Sequence, residues 1–220
     1  MQLRAVIFDL DGVLVSTDGL HYQGWKRLAD EEGIPFDETI NHRLRGVSRM
    51  ESLEILLERS KRSYSLEEKD ALAGRKNRYY RDLLDSLAPG DVLPGALELC
   101  CGLRERGIKL AIASSSRNSP LILEKTGLAK WFDATADGND IRRSKPDPEV
   151  FLLAASRLGV APENCLVVED AASGVEGAVN GGFRCLAVGA AHEHPGAAWS
   201  APSLAGICAD SLLSRTQAGA

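Results

Sequence analysis

The sequence predicts an α/β protein: a Rossmann-like, doubly wound parallel sheet core with an inserted helical-bundle cap domain. Three observations predict it. Apolar, β-branched runs end abruptly in polar residues at four places along the chain, the first being Leu3 to Phe8 followed by Asp9, Asp11 and Gly12. From residue 95 onward, helical and strand-like patterns alternate, as they do when crossovers build a parallel sheet. Between Val15 and Val92 the periodicity is helical only, so a bundle is expected to interrupt the core once.

The first run reads as a strand buried on both faces. Helical patterns then cover Leu20 to Glu32, Ser48 to Arg59 and Leu66 to Leu87, broken by Gly33-Ile34-Pro35 and by Gly46. Pro89-Gly90 and Pro94-Gly95 punctuate the return to the core. There the spacing predicts helices over 95–106, 118–127, 148–159 and 172–180, and strands over 109–113, 132–135, 165–168 and 184–188. Ala190 to Ala220, rich in Ala, Gly, Ser and Pro, reads as a weakly ordered finish. The core is therefore expected over 1–14 and 93–220, and the cap over 15–92; no internal repeat is visible.

The strand ends carry the chemistry. Strand side chains alternate, so Asp9 and Asp11 point one way while Leu10 turns into the core. Two carboxylates at such an edge can hold a hard cation such as Mg2+, or divide the work of nucleophile and general acid/base. Open α/β sheets place ligands at this edge. The second cluster is Ser114-Ser115-Ser116-Arg117-Asn118, the third Ser144-Lys145-Pro146-Asp147-Pro148, the fourth Glu169-Asp170 with Gly174 beyond. Singly, each has a plain alternative: Ser114 as a helix cap, Lys145 as a loop lysine, Glu169 and Asp170 as acids favoured at a helix start. In this order they converge on one edge.

The four-part order resembles the haloacid dehalogenase superfamily of phosphotransferases over nearly the whole chain, and the cap is most like that of the β-phosphoglucomutase family. The resemblance implies that Asp9 is the nucleophile forming an aspartyl-phosphate, and that Asp11 gives and takes the proton of the sugar oxygen. It implies Mg2+ bound by Asp9, the backbone carbonyl of Asp11 and Glu169 or Asp170, with Ser114 and Lys145 on the transferring phosphoryl group. Arg45-Gly46-Val47-Ser48-Arg49 at a helix start looks like the family's second phosphate site. Ser115, Ser116, Arg117 and Asn118 would offer matching donors, and Val47 would lie against the sugar. His21, Trp25 and Lys76-Asn77 match further cap positions. Singly, the two cap arginines read as a solvated helix start and His21 as a packing histidine.

The implied reaction interconverts β-D-glucose 1-phosphate and D-glucose 6-phosphate, with β-glucose 1,6-bisphosphate as priming intermediate. The alternative is an Mg2+-dependent sugar-phosphate phosphatase; a non-catalytic sugar-phosphate binder would be expected to lack Asp9, Asp11 or Lys145. Three residues depart from the family pattern: Arg45 and Arg117 stand where lysine is expected, and Ser16 where an acid often follows the first strand.

Composition agrees with an enzyme of small molecules. At 220 residues the chain can bury a substantial core, and its 44% hydrophobic content is ordinary. A net charge of -5 argues against nucleic acid as main partner. No apolar stretch is long enough to span a bilayer, and with a core strand so near the first residue no signal peptide is expected. A cytoplasmic monomer is expected. The five cysteines read as reduced thiols, with Cys100, Cys101, Cys165 and Cys185 in core patterns. His192 and His194 read as surface-loop residues.

Overall fold

The computed structural model describes residues 2–218. Its strands are β1 (Ala5–Phe8), β2 (Lys109–Ala113), β3 (Ala134–Ala136), β4 (Cys165–Glu169), β5 (Arg184–Ala187) and β6 (Trp199–Ser200). They form one parallel sheet in the order β3-β2-β1-β4-β5-β6. Nine helices accompany them in the described residues: α1 (Asp18–Glu32), α2 (Glu38–Arg43), α3 (Arg49–Leu57), α4 (Leu66–Leu84), α5 (Ala96–Glu105), α6 (Ser119–Thr126), α7 (Glu149–Leu158), α8 (Ala172–Asn180) and α9 (Ala209–Ala218).

Alternation along the strands sorts the core into two layers. Val6 and Phe8 of β1, Leu110 and Ile112 of β2 and Leu166 and Val168 of β4 share a cluster with apolar residues of α5, α6 and α9. Ala5, Ile7, Ala111, Ala113, Cys165 and Val167 point to the opposite face, against Phe151 and Ala154 of α7 and Val175 of α8. The alanines on that face let α7 pack across β1, β2 and β3. Each large side chain wholly buried here contributes about 1.5–3 kcal/mol.

Register positions the site. Phe8 pairs with Ile112 on one side and with Val168 on the other. Asp9 and Glu169 follow directly, and Ser114 comes one residue later, after Ala113, so the three emerge together where the strand order diverges around β1, the crevice in which such sheets take ligands.

Helices α1 to α4 have an apolar cluster of their own, built from Trp25, Leu28, Ile40, Leu53, Leu56 and Leu72 among others. Gly33 ends α1 in the left-handed conformation, and Ser48 and Ser65 start α3 and α4 with reciprocal capping boxes to Glu51 and Glu68. The C-terminal half of α4 leaves this cluster: Tyr80 and Leu84 join the core layer beside Phe8.

Sequence patterns and structure differ at element ends, such as β3 at Ala134–Ala136 rather than 132–135 and α1 starting at Asp18 rather than Leu20, and in three further respects. Helix α2 was not expected; six residues are too few to show a period, although Asp37, whose carboxylate accepts the N–H of Ile40 at 2.9 Å, marks its start. Helices α3 and α4 stop at Leu57 and Leu84, short of the expected Arg59 and Leu87. The tail is not a weakly ordered finish: β6 extends the sheet, and Leu204, Ala209 and Leu212 are buried in the core. A composition rich in small residues hid those few apolar anchors. Met1, Gly219 and Ala220 lie outside the described residues. Cys100, Cys165 and Cys185 are free and buried, Cys101 is half-buried and Cys208 exposed. Among the described residues no helix is long and apolar enough to cross a membrane.

Candidate active site

At the carboxyl edge of the sheet, Lys145 is completely buried and lies between two acids. Its ammonium donates to Asp9 Oδ1, to Glu169 Oε2 at 2.7 Å and to the carbonyl of Ala113 at 3.2 Å. Burial would lower the lysine's pKa, but the charges of Asp9 and Glu169 outweigh it and the net shift is upward. Burial pushes the Asp9 carboxyl well above the usual carboxylate range, with Lys145 opposing and Glu169 and Asp170 reinforcing the rise. Burial, then Glu169, pushes Asp170 up to about 8. One lysine is thus too little positive charge for three acids.

Those acids fit a hard cation. One oxygen from each of Asp9, Glu169 and Asp170 lies within 4.8 Å of the others. Glu169 is held by the amides of Asp170 and Ala171, both 3.1 Å from Oε1. Asp170 comes so close to the first loop that a Cβ at Gly12, where φ is +86°, would stand 2.0 Å from its Oδ2. Neither His192 nor His194 belongs to a metal-binding group among the described residues.

Asp11 faces elsewhere. Its Oδ1 accepts from the Thr17 hydroxyl, which accepts in turn from Tyr80 Oη at 3.2 Å. Burial raises its carboxyl to about 6, while Thr17, Lys145 and Lys76 oppose the rise. A carboxyl poised there can serve as acid or base near neutrality. Ser114, buried at the end of β2, accepts the N–H of Ser116 at 3.1 Å.

The cap supplies the opposite wall. His21 Nδ1 lies 2.9 Å from the ammonium of Lys76, and its ring stacks on Tyr80 with centroids 3.9 Å apart. Lys76, nearly fully buried, stands over the rings of Trp25 and Tyr80. Burial pushes the pKa values of His21 and Lys76 down. Trp25 supports Lys76 from within the cap's apolar cluster.

Arg49 opens α3 directly after its cap Ser48, whose Oγ accepts from the Glu51 amide. Burial, then the charge of Arg117, lowers the pKa of Arg49, and both arginines line the same cavity. Arg117 donates from Nε to the carbonyl of Gly138 at 3.1 Å. Neither arginine forms an ion pair with an acid among the described residues. Arg45, expected beside them as a phosphate ligand, is instead engaged: its Nη2 and Nε donate to the two Asp18 carboxylate oxygens at 2.6 and 3.2 Å. Ser16 and Val47 line one cavity of about 1060 Å³ together with Asp9, Asp11, Ser114, Glu169 and Asp170 on the core side and His21, Lys76, Arg45, Arg49 and Arg117 around it.

The cap sits down on the core. Ser115 Oγ donates to the carbonyl of Gly46 at 3.0 Å, Asn118 Nδ2 to Asn77 Oδ1 at 3.0 Å, and Ser144 Oγ to the Glu51 carboxylate. Gly46 (φ +76°) permits the approach, since a Cβ there would stand 2.5 Å from Ser173 Oγ. Sequence reading missed Thr17, Tyr80 and Asp18. Tyr80 and Thr17 are 63 positions apart, and no local pattern joins them.

A profile described as haloacid dehalogenase-like hydrolase matches residues 3–182. The chain is 43% identical to a β-phosphoglucomutase of Bacillus subtilis over 189 residues, covering 85% of this chain and 84% of that protein. It is 37% identical to a phosphorylated carbohydrates phosphatase of Thermotoga maritima, covering 83% of each. A crystal structure of β-phosphoglucomutase from Clostridium difficile superposes with a TM-score of 0.94 at 35% identity, over 99% of both chains.

Proposed function

The chain belongs to the haloacid dehalogenase-like hydrolase family, and on that premise we propose that it is a phosphomutase interconverting β-D-glucose 1-phosphate and D-glucose 6-phosphate through β-glucose 1,6-bisphosphate. One observation carries this reading. Arg49 and Arg117 both line the cavity that holds Asp9, and neither forms an ion pair with an acid among the described residues, so two cations stand ready for an anion there besides Lys145 beside Asp9. A reaction that only hydrolyses an ester needs one phosphate site; two doubly negative groups need two.

In this reading residues 15–92 are the cap, and 1–14 with 93–220 the catalytic core. Asp9 Oδ attacks phosphorus, the bond from phosphorus to the sugar oxygen breaks, and Asp11 protonates the departing oxygen. The product is an aspartyl-phosphate. In the reverse half, a sugar hydroxyl gives its proton to Asp11 and attacks that phosphorus, and the bond to Asp9 breaks. Lys145 and Ser114 hold the transferring oxygens in line. Arg49, Arg117, Ser116 and Asn118 hold the other phosphate, with Val47 against the sugar. The bisphosphate turns end for end between the two halves. Asp9, Glu169 and Asp170, with the backbone carbonyl of Asp11, would hold Mg2+, which supplies positive charge against the carboxylates and the phosphate. The contacts from Gly46, Asn77 and Glu51 to the core keep water from the phosphoenzyme. The site is built within one chain, so we read the working unit as a monomer.

The Thermotoga relative favours a second reading, a sugar-phosphate phosphatase. A single experiment separates them. With β-glucose 1-phosphate and Mg2+, the mutase shows a lag that catalytic β-glucose 1,6-bisphosphate shortens, and glucose 6-phosphate accumulates with little inorganic phosphate. Stoichiometric phosphate release without a priming effect establishes the phosphatase instead.

A further inference from the structure

Asp18 has no part in the chemistry just derived, yet it lines the same cavity and holds one of its cations. Its two oxygens take Nε and Nη2 of Arg45 in a forked pair, the geometry in which a guanidinium is most fully satisfied. An acid in the first turn of α1 also suits the helix dipole, but that role needs no partner 27 residues away. Arg45 is one of five arginines that line the cavity, with Arg49, Arg117, Arg142 and Arg143. It stands next to Gly46, whose carbonyl is bound by Ser115, and Arg117 lies two residues beyond Ser115. Freed from Asp18, it stands on the phosphate-binding loop without its forked partner, with Asp170 as its remaining acidic neighbour.

We propose that Asp18 is a specificity-determining residue: it sequesters Arg45, withholds that guanidinium from the second phosphate held by Arg49 and Arg117, and so caps the anion affinity of the clamp. This matters for a bisphosphate that must let go at one end in order to turn. Three unsatisfied guanidiniums would hold that end too tightly and would retain inorganic phosphate as an inhibitor. The inference rests on reading the cavity as a two-phosphate clamp, but its readout is binding rather than turnover.

The test is a double-mutant cycle on inorganic phosphate binding, measured by calorimetry with Mg2+ present. Asp18→Ala is expected to tighten binding about tenfold. Arg45→Ala in the parent protein is expected to change affinity by less than about twofold, and in the Asp18→Ala background by about tenfold. If Asp18 merely repels anions through its charge, Arg45→Ala has the same effect in both backgrounds, and the proposal is overturned. It is also overturned if Arg45→Ala in the parent weakens binding about tenfold, because Arg45 is then already a ligand. Asp18→Asn, which keeps the side chain's size and one acceptor, repeats the cycle if the alanine variant fails to fold. Arg49→Ala in the parent is the separate control: undiminished phosphate binding there refutes the clamp itself, whatever the cycle shows.

Discussion

Three acids share one lysine at the centre of this protein, and the consequence is measurable as a stability that depends on pH and cation. The perturbation is chelation of divalent ions, followed by a pH series on the parent and on Asp170→Asn. Asp170 titrates ordinarily at 3.8 and is pushed up to about 8 in the folded chain, by burial first and by Glu169 next. Between those values the folded state holds more protons than the unfolded state, so the contribution of Asp170 to stability falls as pH rises through the window. From about pH 6 to pH 8 the fall from this one carboxyl is about 2 kcal/mol. Asp9, raised in the same direction, adds to it, whereas His21 and Lys76, both pushed down by burial, act in the opposite sense. The difference between parent and variant isolates Asp170. For a chain of this size it amounts to a relative loss in melting temperature of about 4–8 °C. Calorimetry in chelator reads it directly. Added Mg2+ is expected to raise the melting temperature of the parent near pH 8 more than that of the variant. Parallel pH curves for the two proteins, or indifference of both to Mg2+, would refute the account of the acidic cluster.

Two further substitutions probe the division of labour between core and cap. Asp9→Asn keeps the side chain's size but removes the nucleophile, and turnover is expected to fall by several orders of magnitude; near-normal steady-state rates would show that Asp9 is not the attacking group. Arg49→Ala is expected to cost about 2–4 kcal/mol in transition-state binding of the hexose phosphate while leaving phosphorylation by acetyl phosphate, which has no second phosphate, nearly unchanged. Equal damage to both rates would assign Arg49 to the transferring group or to folding.

Much of this was legible in the chain alone because it depends on local order. A parallel sheet must bury its strands on both faces, so the runs ending at Phe8, Ala113 and Val168 announce themselves as unbroken apolar stretches. Their polar successors, Asp9, Ser114 and Glu169, must then meet at one edge, since parallel strands end together. Lys145 was readable only as the third cluster in order. Register, and the distance that puts its ammonium between Asp9 and Glu169, follow from how α7 packs on the sheet.

What the tertiary structure alone decided lies in contacts between distant segments. Arg45 and Asp18 are each unremarkable in sequence, an arginine in a basic loop and an acid at a helix start. Their pairing, which engages Arg45 with a carboxylate, exists only because α1 and the loop before α3 meet. Tyr80 sits on an ordinary helical face, and only the descent of α4 into the core puts its hydroxyl on Thr17 and, through it, on Asp11. The tail was misread because composition counts small residues, whereas burial depends on where Leu204 and Leu212 land. Sequence period determines which face of an element is apolar; the free energy of a buried charge depends on which partner the rest of the chain delivers to it.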